Sequence, residues 1–254
     1  MLRKLALIIC CALPAQAEEQ VVLGLSQNRV AITANFDGSE ILVFGAVKRE
    51  DPIPEGDPLE VVIAVSGPKE PLTVRRKERK YGIWVNTESV TVDRAPSFYA
   101  VATSGPFDQI VSEAEDIKHS ISIGNAITSV SARAQSANGN DFAEAVARIR
   151  TNNGLYSIRE NTVTVDQQTL FKASISMPAN LTEGDYITRI FLMRDGKVIS
   201  THETQIDVRK VGLERFLFNL SRQQPLIYGL LSLAIAIIAG WGASAFFRYV
   251  RRGA

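Results

Sequence analysis

The 254 residues carry 28 basic and 27 acidic side chains, a net charge of +1, so the strongly basic balance of a nucleic-acid-binding domain is missing. The two cysteines, Cys10 and Cys11, both fall in the first apolar run, which leaves the rest of the chain without a disulfide framework, a cysteine metal ligand or a thiol nucleophile. Such a chain must be held by an ordinary hydrophobic core, and about 200 residues are enough to build one.

Residues 1–17, MLRKLALIICCALPAQA, have the layout of a secretory signal peptide. Arg3 and Lys4 precede an apolar stretch, Leu5–Leu13, and Ala15-Gln16-Ala17 gives a small-x-small cleavage site. The apolar stretch is too short to span a bilayer. Ile9 is not the small residue that lipoprotein processing wants before Cys10, so a cleaved leader is expected rather than a lipid anchor.

Residues 18–104 read as a β-rich lobe. QVVLGL, RVAITANF, SEILVFGAV, EVVIAVSG, YGIWVN, SVTVD and SFYAVATS are rich in Val, Ile and aromatics, and FDGSE, SGPKEP and REDPIPEGDP punctuate them. Short strands at this spacing predict a sandwich or barrel and not a parallel α/β sheet. Residues 105–154 change character: PFDQIVSEAEDIKHS and DFAEAVARIR predict helices, with Ser104 and Asp141 as caps and SARAQSANGN between them.

A second β-rich lobe spans residues 155–211, with NTVTV, LFKASISM, DYITRIFLM and KVISTHETQIDV as strands and Asp195-Gly196 as a hairpin turn. Alternation puts Tyr186, Thr188, Ile190 and Leu192 on one face. The Gly-Asp-Tyr opening of that strand is similar to the tyrosine corner of immunoglobulin-like sandwiches, although their Cys–Trp–Cys spacing is absent. Two lobes joined through the helical stretch and one sandwich with a helical insertion fit equally well. The fold expected is mainly β: an immunoglobulin-like, sandwich-type region with a helical middle segment, followed by one C-terminal transmembrane helix.

In residues 212–224, Leu213, Phe216, Leu217 and Leu220 recur at i, i+3, i+4 and i+7. They predict a short amphipathic helix, either leading into the membrane or packed on the domain. Residues 225–247, PLIYGLLSLAIAIIAGWGASAFF, contain no charge. As a helix they extend about 35 Å, enough for a hydrocarbon core of ~30 Å. Pro225 suits the first helical turn, and Tyr228, Trp241 and Tyr249 suit the two interfaces. Arg248, Arg251 and Arg252 in the tail 248–254 mark the cytoplasmic side, which puts residues 18–224 outside. Of the net +1, the leader holds +2 and the tail +3, which leaves −4 on the residues between them.

Catalytic signatures are sparse. His119 and His202 lack a second ligand at metal-like spacing, and Ser66-Gly67-Pro68-Lys69 matches Ser-x-x-Lys in a turn, without that chemistry's Ser-Asp-Asn and Lys-Thr-Gly partners. Glu113, Glu115 and Asp116 read as a solvated helix face. No phosphate-cradling glycine loop or calcium loop occurs. The chain is expected not to be an enzyme and to take no cofactor or metal.

Two surfaces stand out. Ser232, Ala236, Gly240 and Ser244 recur every fourth residue of the span, a small-residue face suited to packing against another copy or another membrane protein. Arg75, Arg76, Lys77, Arg79 and Lys80 fall within six positions, predicted at a hairpin tip or exposed edge near Lys77-Glu78. Charge there discourages edge aggregation; the functional alternative is an anion patch for lipid headgroups or a small oxyanion. Trp84, beside the patch, is expected in the core.

Several stretches, LSQNRVAITANFDGSEILVFGAV, VRRKERKYGIWVN, SFYAVATS and RKVGLERFLFNLSRQQPLIYGLLSL, resemble an alphaproteobacterial family of transmembrane proteins of unknown function. The likeness covers nearly all of the chain after the leader, and the Arg-Arg-Lys-Glu-Arg…Gly-Ile-Trp-Val run is its most specific part. The resemblance implies a bacterial inner membrane, a periplasmic domain and a permease of the sulfite-exporter type as partner. No catalytic residue carries over from it. The function expected is therefore an accessory subunit of a membrane partner, the alternative being an envelope adhesion or assembly factor that binds periplasmic proteins through its β domain.

Overall fold

Runs of Val, Ile and aromatic residues bounded by Gly, Pro and Asp become strands in the computed structural model, which describes residues 19–33, 35–50, 52–53, 56, 58–131 and 139–252. In chain order the elements are β1 (Gln20–Leu25), β2 (Arg29–Ile32), β3 (Gly38–Lys48), β4 (Glu60–Ser66), β5 (Lys69–Lys80), β6 (Ile83–Pro96) and β7 (Tyr99–Thr103). Four helices follow: α1 (Phe107–Ile110), α2 (Glu113–His119), α3 (Ile123–Ser131) and α4 (Gly139–Asn152). Then come β8 (Tyr156–Arg159), β9 (Thr164–Asp166), β10 (Leu170–Pro178), β11 (Gly184–Arg194), β12 (Lys197–Lys210), α5 (Leu213–Gln223) and α6 (Pro225–Arg252). The fold is mainly β with a helical middle and one apolar C-terminal helix. The expected leader, residues 1–17, lies outside the described residues.

Strands from both sides of the helical stretch pair within the same sheets. A four-stranded antiparallel sheet has the order β1-β3-β10-β9, and a mixed six-stranded sheet has the order β2-β12-β11-β4-β7-β8. The pairs β12–β2 and β7–β8 are parallel. The central strands β4 and β7 are buried on both faces, as their unbroken apolar runs require. Strand β11 separates the two layers they contact. Tyr186, Thr188, Ile190 and Leu192 are all fully buried on one face; Phe191, on the other, meets the His119 ring of α2 at 5.6 Å. Helices therefore cover that second face, and the inward residues of the four-stranded sheet, Ile41, Val43, Phe171, Ala173, Ile175 and Met177, join the first face in one apolar core. The Tyr186 hydroxyl donates to the Thr182 carbonyl at 2.8 Å.

The third sheet, β5–β6, is a two-stranded arm that continues the β4–β7 ladder. Ser66 pairs with Tyr99, and the ladder runs on through Gly67 N–H to Phe98 O and Ser97 N–H to Pro68 O, each 2.8 Å, into Lys69 opposite Pro96. Register fixes where it leaves. Ser66 pairs with Ile187 near the start of β11, and Gly184 pairs with Val208 near the end of β12. The arm thus emerges from the same end of the six-stranded sheet as the chain that enters α5 and α6. The Asp195-Gly196 turn, with φ of 52° and 70°, closes the opposite end.

Several details differ from the sequence reading. YGIWVN and SVTVD are not two strands but parts of one 14-residue strand, β6. The hairpin turns at Tyr81-Gly82, not at Lys77-Glu78, because the turn needs two residues at positive φ and Gly82 supplies one. Ser104 caps no helix: its hydroxyl accepts from Val61 N–H at 2.8 Å and bonds the Glu60 carboxylate. Asp141 lies inside α4, which begins at Gly139, so it is no cap either. PFDQIVSEAEDIKHS is two helices, parted where Val111 is extended. Strand β8, ahead of NTVTV, was not anticipated.

Gly67 has no room for a side chain. A Cβ there would lie 2.6 Å from Ser97 Oγ, 3.0 Å from Tyr186 Cε1 and 3.1 Å from Phe98 N. Gly67→Ala should cost about 1–3 kcal/mol, measured as a lowered denaturation midpoint. Gly124→Ala, in the first turn of α3 with open space around it, should gain up to about 1 kcal/mol. Burial pushes the Tyr99, Tyr156 and Tyr186 hydroxyls up to about 12, for Tyr99 against the opposing pull of Arg189. With the folded values above the ordinary value near 10, the unfolded chain releases these protons first. Their stabilisation, about 2 kcal/mol each, is complete below pH ~10 and lost as pH climbs to about 12. In a chain with Tyr81, Tyr228 and Tyr249 changed to Phe, circular dichroism and phenolate absorbance followed together above pH 10 should change in one cooperative step. Phenolate absorbance from the three buried tyrosines in a still-folded chain would contradict it.

Candidate functional site

The arm carries the five basic residues predicted as a patch, and it separates them. Its root rests on the helices: Leu72 and Val74 are half-buried, and with Val146, Ile149, Arg150 and Asn153 they border a cleft of about 340 Å³. Arg75 also lines this cleft. Arg76 points the other way along the arm, ion-paired to Glu88 at 3.3 Å with its guanidinium 5.5 Å from the centre of the Phe142 ring. It is an anchoring side chain and does not belong to an open anion patch. Next to it the register shifts at Arg76/Lys77, a bulge that leaves Thr87 unpaired on β6 and adds twist.

Beyond the bulge the arm has left the helices. Lys77, Glu78, Arg79 and Lys80 are exposed on β5. Lys80 lies 4.0 Å from Glu78; Arg75, Lys77 and Arg79 have no ion-pair partner among the described residues. The tip also exposes three large apolar side chains: Tyr81 fully, Ile83 at 65% and Trp84 at 68%. Trp84 is thus not a core residue, as expected from its apolar neighbours, because the ladder has no second layer here to bury it. Register puts Trp84 opposite Arg79 and Ile83 opposite Lys80, so each face of the tip pairs a cation with an apolar side chain. The turn residue Tyr81 sits at φ 51°, a conformation usually given to Asn, Asp or Gly.

The small-residue face lies on α6. Residues Pro225–Ser244 have a mean hydropathy of 2.0 and are unburied by the rest of the chain. Ser232, Ala236 and Gly240 form an exposed ridge along this helix, and nothing lies within 4 Å of where a Gly240 Cβ would be. Ser232 satisfies its hydroxyl within the helix, donating to Tyr228 O at 2.9 Å. Ser244 continues the ridge one turn on. Gln224, ahead of Pro225, leaves the helical region at φ −138° and divides α5 from α6. Phe216 and Phe218 of α5 are 57% and 61% exposed.

The histidines do not converge. His119 closes α2, 3.3 Å from Glu115 and edge-on to Phe191. Arg189 binds the same helix end, donating to the carbonyls of His119 and Ser120 at 2.7 and 3.1 Å and to the Tyr99 hydroxyl at 3.2 Å. Desolvation works to raise Glu115, but bonds from Lys118 and the Val198 N–H outweigh it and hold the carboxyl below its usual range. These contacts clasp α2 to the sheet. His202 lines a separate cleft of about 450 Å³ with Ser26, Gln27, Asn28 and Thr204. Among the described residues no group of three His, Cys, Asp or Glu is placed to hold a metal. One exposed apolar surface had no signal beyond strand alternation: Val22, Leu42, Phe44 and Leu170 on the outer face of the four-stranded sheet, with the Phe44 ring lying over Gly24.

The family model described as "Putative transmembrane protein" (Alph_Pro_TM) matches residues 20–249. No curated protein matches the chain. Among solved structures, the sporulation control protein Spo0M from Bacillus subtilis is similar at 9% identity and a TM-score of 0.30, over 81% of this chain and 56% of that one. The chain therefore spans little more than half of that structure.

Tyr81 is fully exposed in a left-handed turn, so its side chain gains little from packing to offset the strain. Tyr81→Asn should raise stability by about 0.5–1 kcal/mol, read from the thermal midpoint of the chain in detergent. A fall of that size would mean that Tyr81 makes a stabilising contact.

Proposed function

From a chain that belongs to the Alph_Pro_TM family of transmembrane proteins, we propose a non-enzymatic accessory subunit of an inner-membrane partner, of the anion-permease kind. The β domain faces the periplasm, and the three arginines after the span hold the C-terminus in the cytoplasm. The observation that carries this reading is that the apolar helix Pro225–Ser244 packs against none of its own domain while one ridge of it is made of small residues. In lipid, apolar side chains gain nothing by leaving the tails, so helices associate where small residues let backbones approach. An anchor alone has no use for that ridge.

A second reading, an adhesion or assembly factor, is favoured by the exposed Val22, Leu42, Phe44 and Leu170 surface, which would receive a periplasmic protein. The two readings place the partner in different compartments of the same chain. Affinity purification in gentle detergent should recover a polytopic membrane protein with the native chain and lose it when Ser232, Ala236, Gly240 and Ser244 are all changed to Leu. Recovery of the same soluble proteins with both chains would overturn the accessory-subunit reading in favour of the second.

A further inference from the structure

We propose that the β5–β6 arm is a second membrane contact, whose tip seats Tyr81, Ile83 and Trp84 in the headgroup layer of an anionic bilayer while Lys77, Arg79 and Lys80 meet lipid phosphates. This rests on the chain's membership of a transmembrane family and not on the identity of any protein partner.

Position is the first reason. The arm leaves the sheet at the end from which the chain enters α5 and α6. Its twelve-residue strand β5 reaches roughly 35–40 Å at ~3.3 Å per residue. The eleven residues of α5, all that separates β12 from the span apart from short links, extend only about 16 Å. A structure that starts from the same end and is twice as long as the connector reaches the bilayer surface. The connector itself exposes Phe216, a residue of its apolar face, which an interface would receive.

Chemistry is the second reason. An arm protected only against aggregation needs charge at its edge, and three large apolar side chains at its tip would defeat that purpose. Aromatics interleaved with Arg and Lys are what a headgroup layer accepts: the rings take the boundary between tails and water, and the cations take the phosphates. The arm has both, paired across the ladder as Arg79 with Trp84 and Lys80 with Ile83. It is a local concentration of positive charge on a region that is otherwise acidic, so attraction to an anionic surface is directed to the tip.

The chain has two tryptophans, and one of them, Trp241, is in the span. Full-length protein carrying Trp241→Phe therefore reports Trp84 alone. It would be reconstituted into lipid discs of phosphatidylcholine, with and without phosphatidylglycerol. In anionic discs Trp84 emission should shift to the blue and be quenched by lipids brominated just below the headgroups. Both effects should weaken in neutral discs. Adding Arg79→Glu and Lys80→Glu should return the emission to that of indole in water, with the circular dichroism spectrum unchanged; Arg79→Lys with native Lys80 should preserve the shift. Water-like emission in both lipids would overturn the proposal. So would a blue shift that bromine does not quench and that grows with the number of chains per disc, which would make the occupant a second copy.

Discussion

Much of this molecule follows from one crowded crossing, where the β4–β7 ladder passes Gly67 and becomes the β5–β6 arm. The passage needs a residue without a side chain, because Ser97, Phe98 and Tyr186 already fill the space a Cβ would take. Two backbone hydrogen bonds, Gly67 to Phe98 and Ser97 to Pro68, carry the pairing across it. With the ladder unbroken, the arm inherits its direction from the strands at the centre of the buried sheet. Helices α3 and α4 then have a surface to cover, and Arg76, Leu72 and Val74 fasten the root to them. What extends past that support has no partner layer, and its apolar side chains stay exposed.

The polar contacts elsewhere serve to hold segments down. Arg189 closes the end of α2 and reaches Tyr99; Glu19 bridges Arg49 and Arg194 at 2.9 and 3.3 Å, with all three side chains largely out of water. Glu19, Arg49 and Arg194 are ion-paired and Arg189 is hydrogen-bonded, as burial demands. By contrast, the exposed surfaces cluster in three places: the arm tip, α5 with α6, and the outer face of the four-stranded sheet. The first two lie at one end of the six-stranded sheet, and the family to which the chain belongs is one of transmembrane proteins.

Strand identity was legible where alternation or an apolar run was long, as in β1, β3, β10 and β11, and the Asp195-Gly196 turn announced itself because both residues tolerate positive φ. The arm turn has the same geometry with Tyr81 in the first place. No propensity points to a tyrosine there, and the charge run drew the predicted turn four residues too early. Trp84 was misplaced for a related reason: local sequence shows that a strand is apolar, not that a covering layer is missing. Ser104 has the right residue type for a cap, yet its hydroxyl is taken by strand β4. The short β8 depends on its parallel pairing with β7, a partner supplied by a strand more than fifty residues earlier. Of the two candidate surfaces, the α6 ridge could be read from spacing alone, because a helix fixes which residues share a face. The division of the five basic residues among the root cleft (Arg75), the Phe142 contact (Arg76) and the tip could not, since it depends on where α4 begins.

The central claim is that the arm and the span leave one end of the sheet and so face the same bilayer. Single dyes placed at position 81 or at position 195 of the reconstituted full chain, with acceptor-labelled lipid headgroups, measure it directly. Energy transfer should be strong from the arm tip at 81 and weak from the Asp195-Gly196 turn at the opposite end. Equal transfer from the two positions, or stronger transfer from 195, would contradict the account.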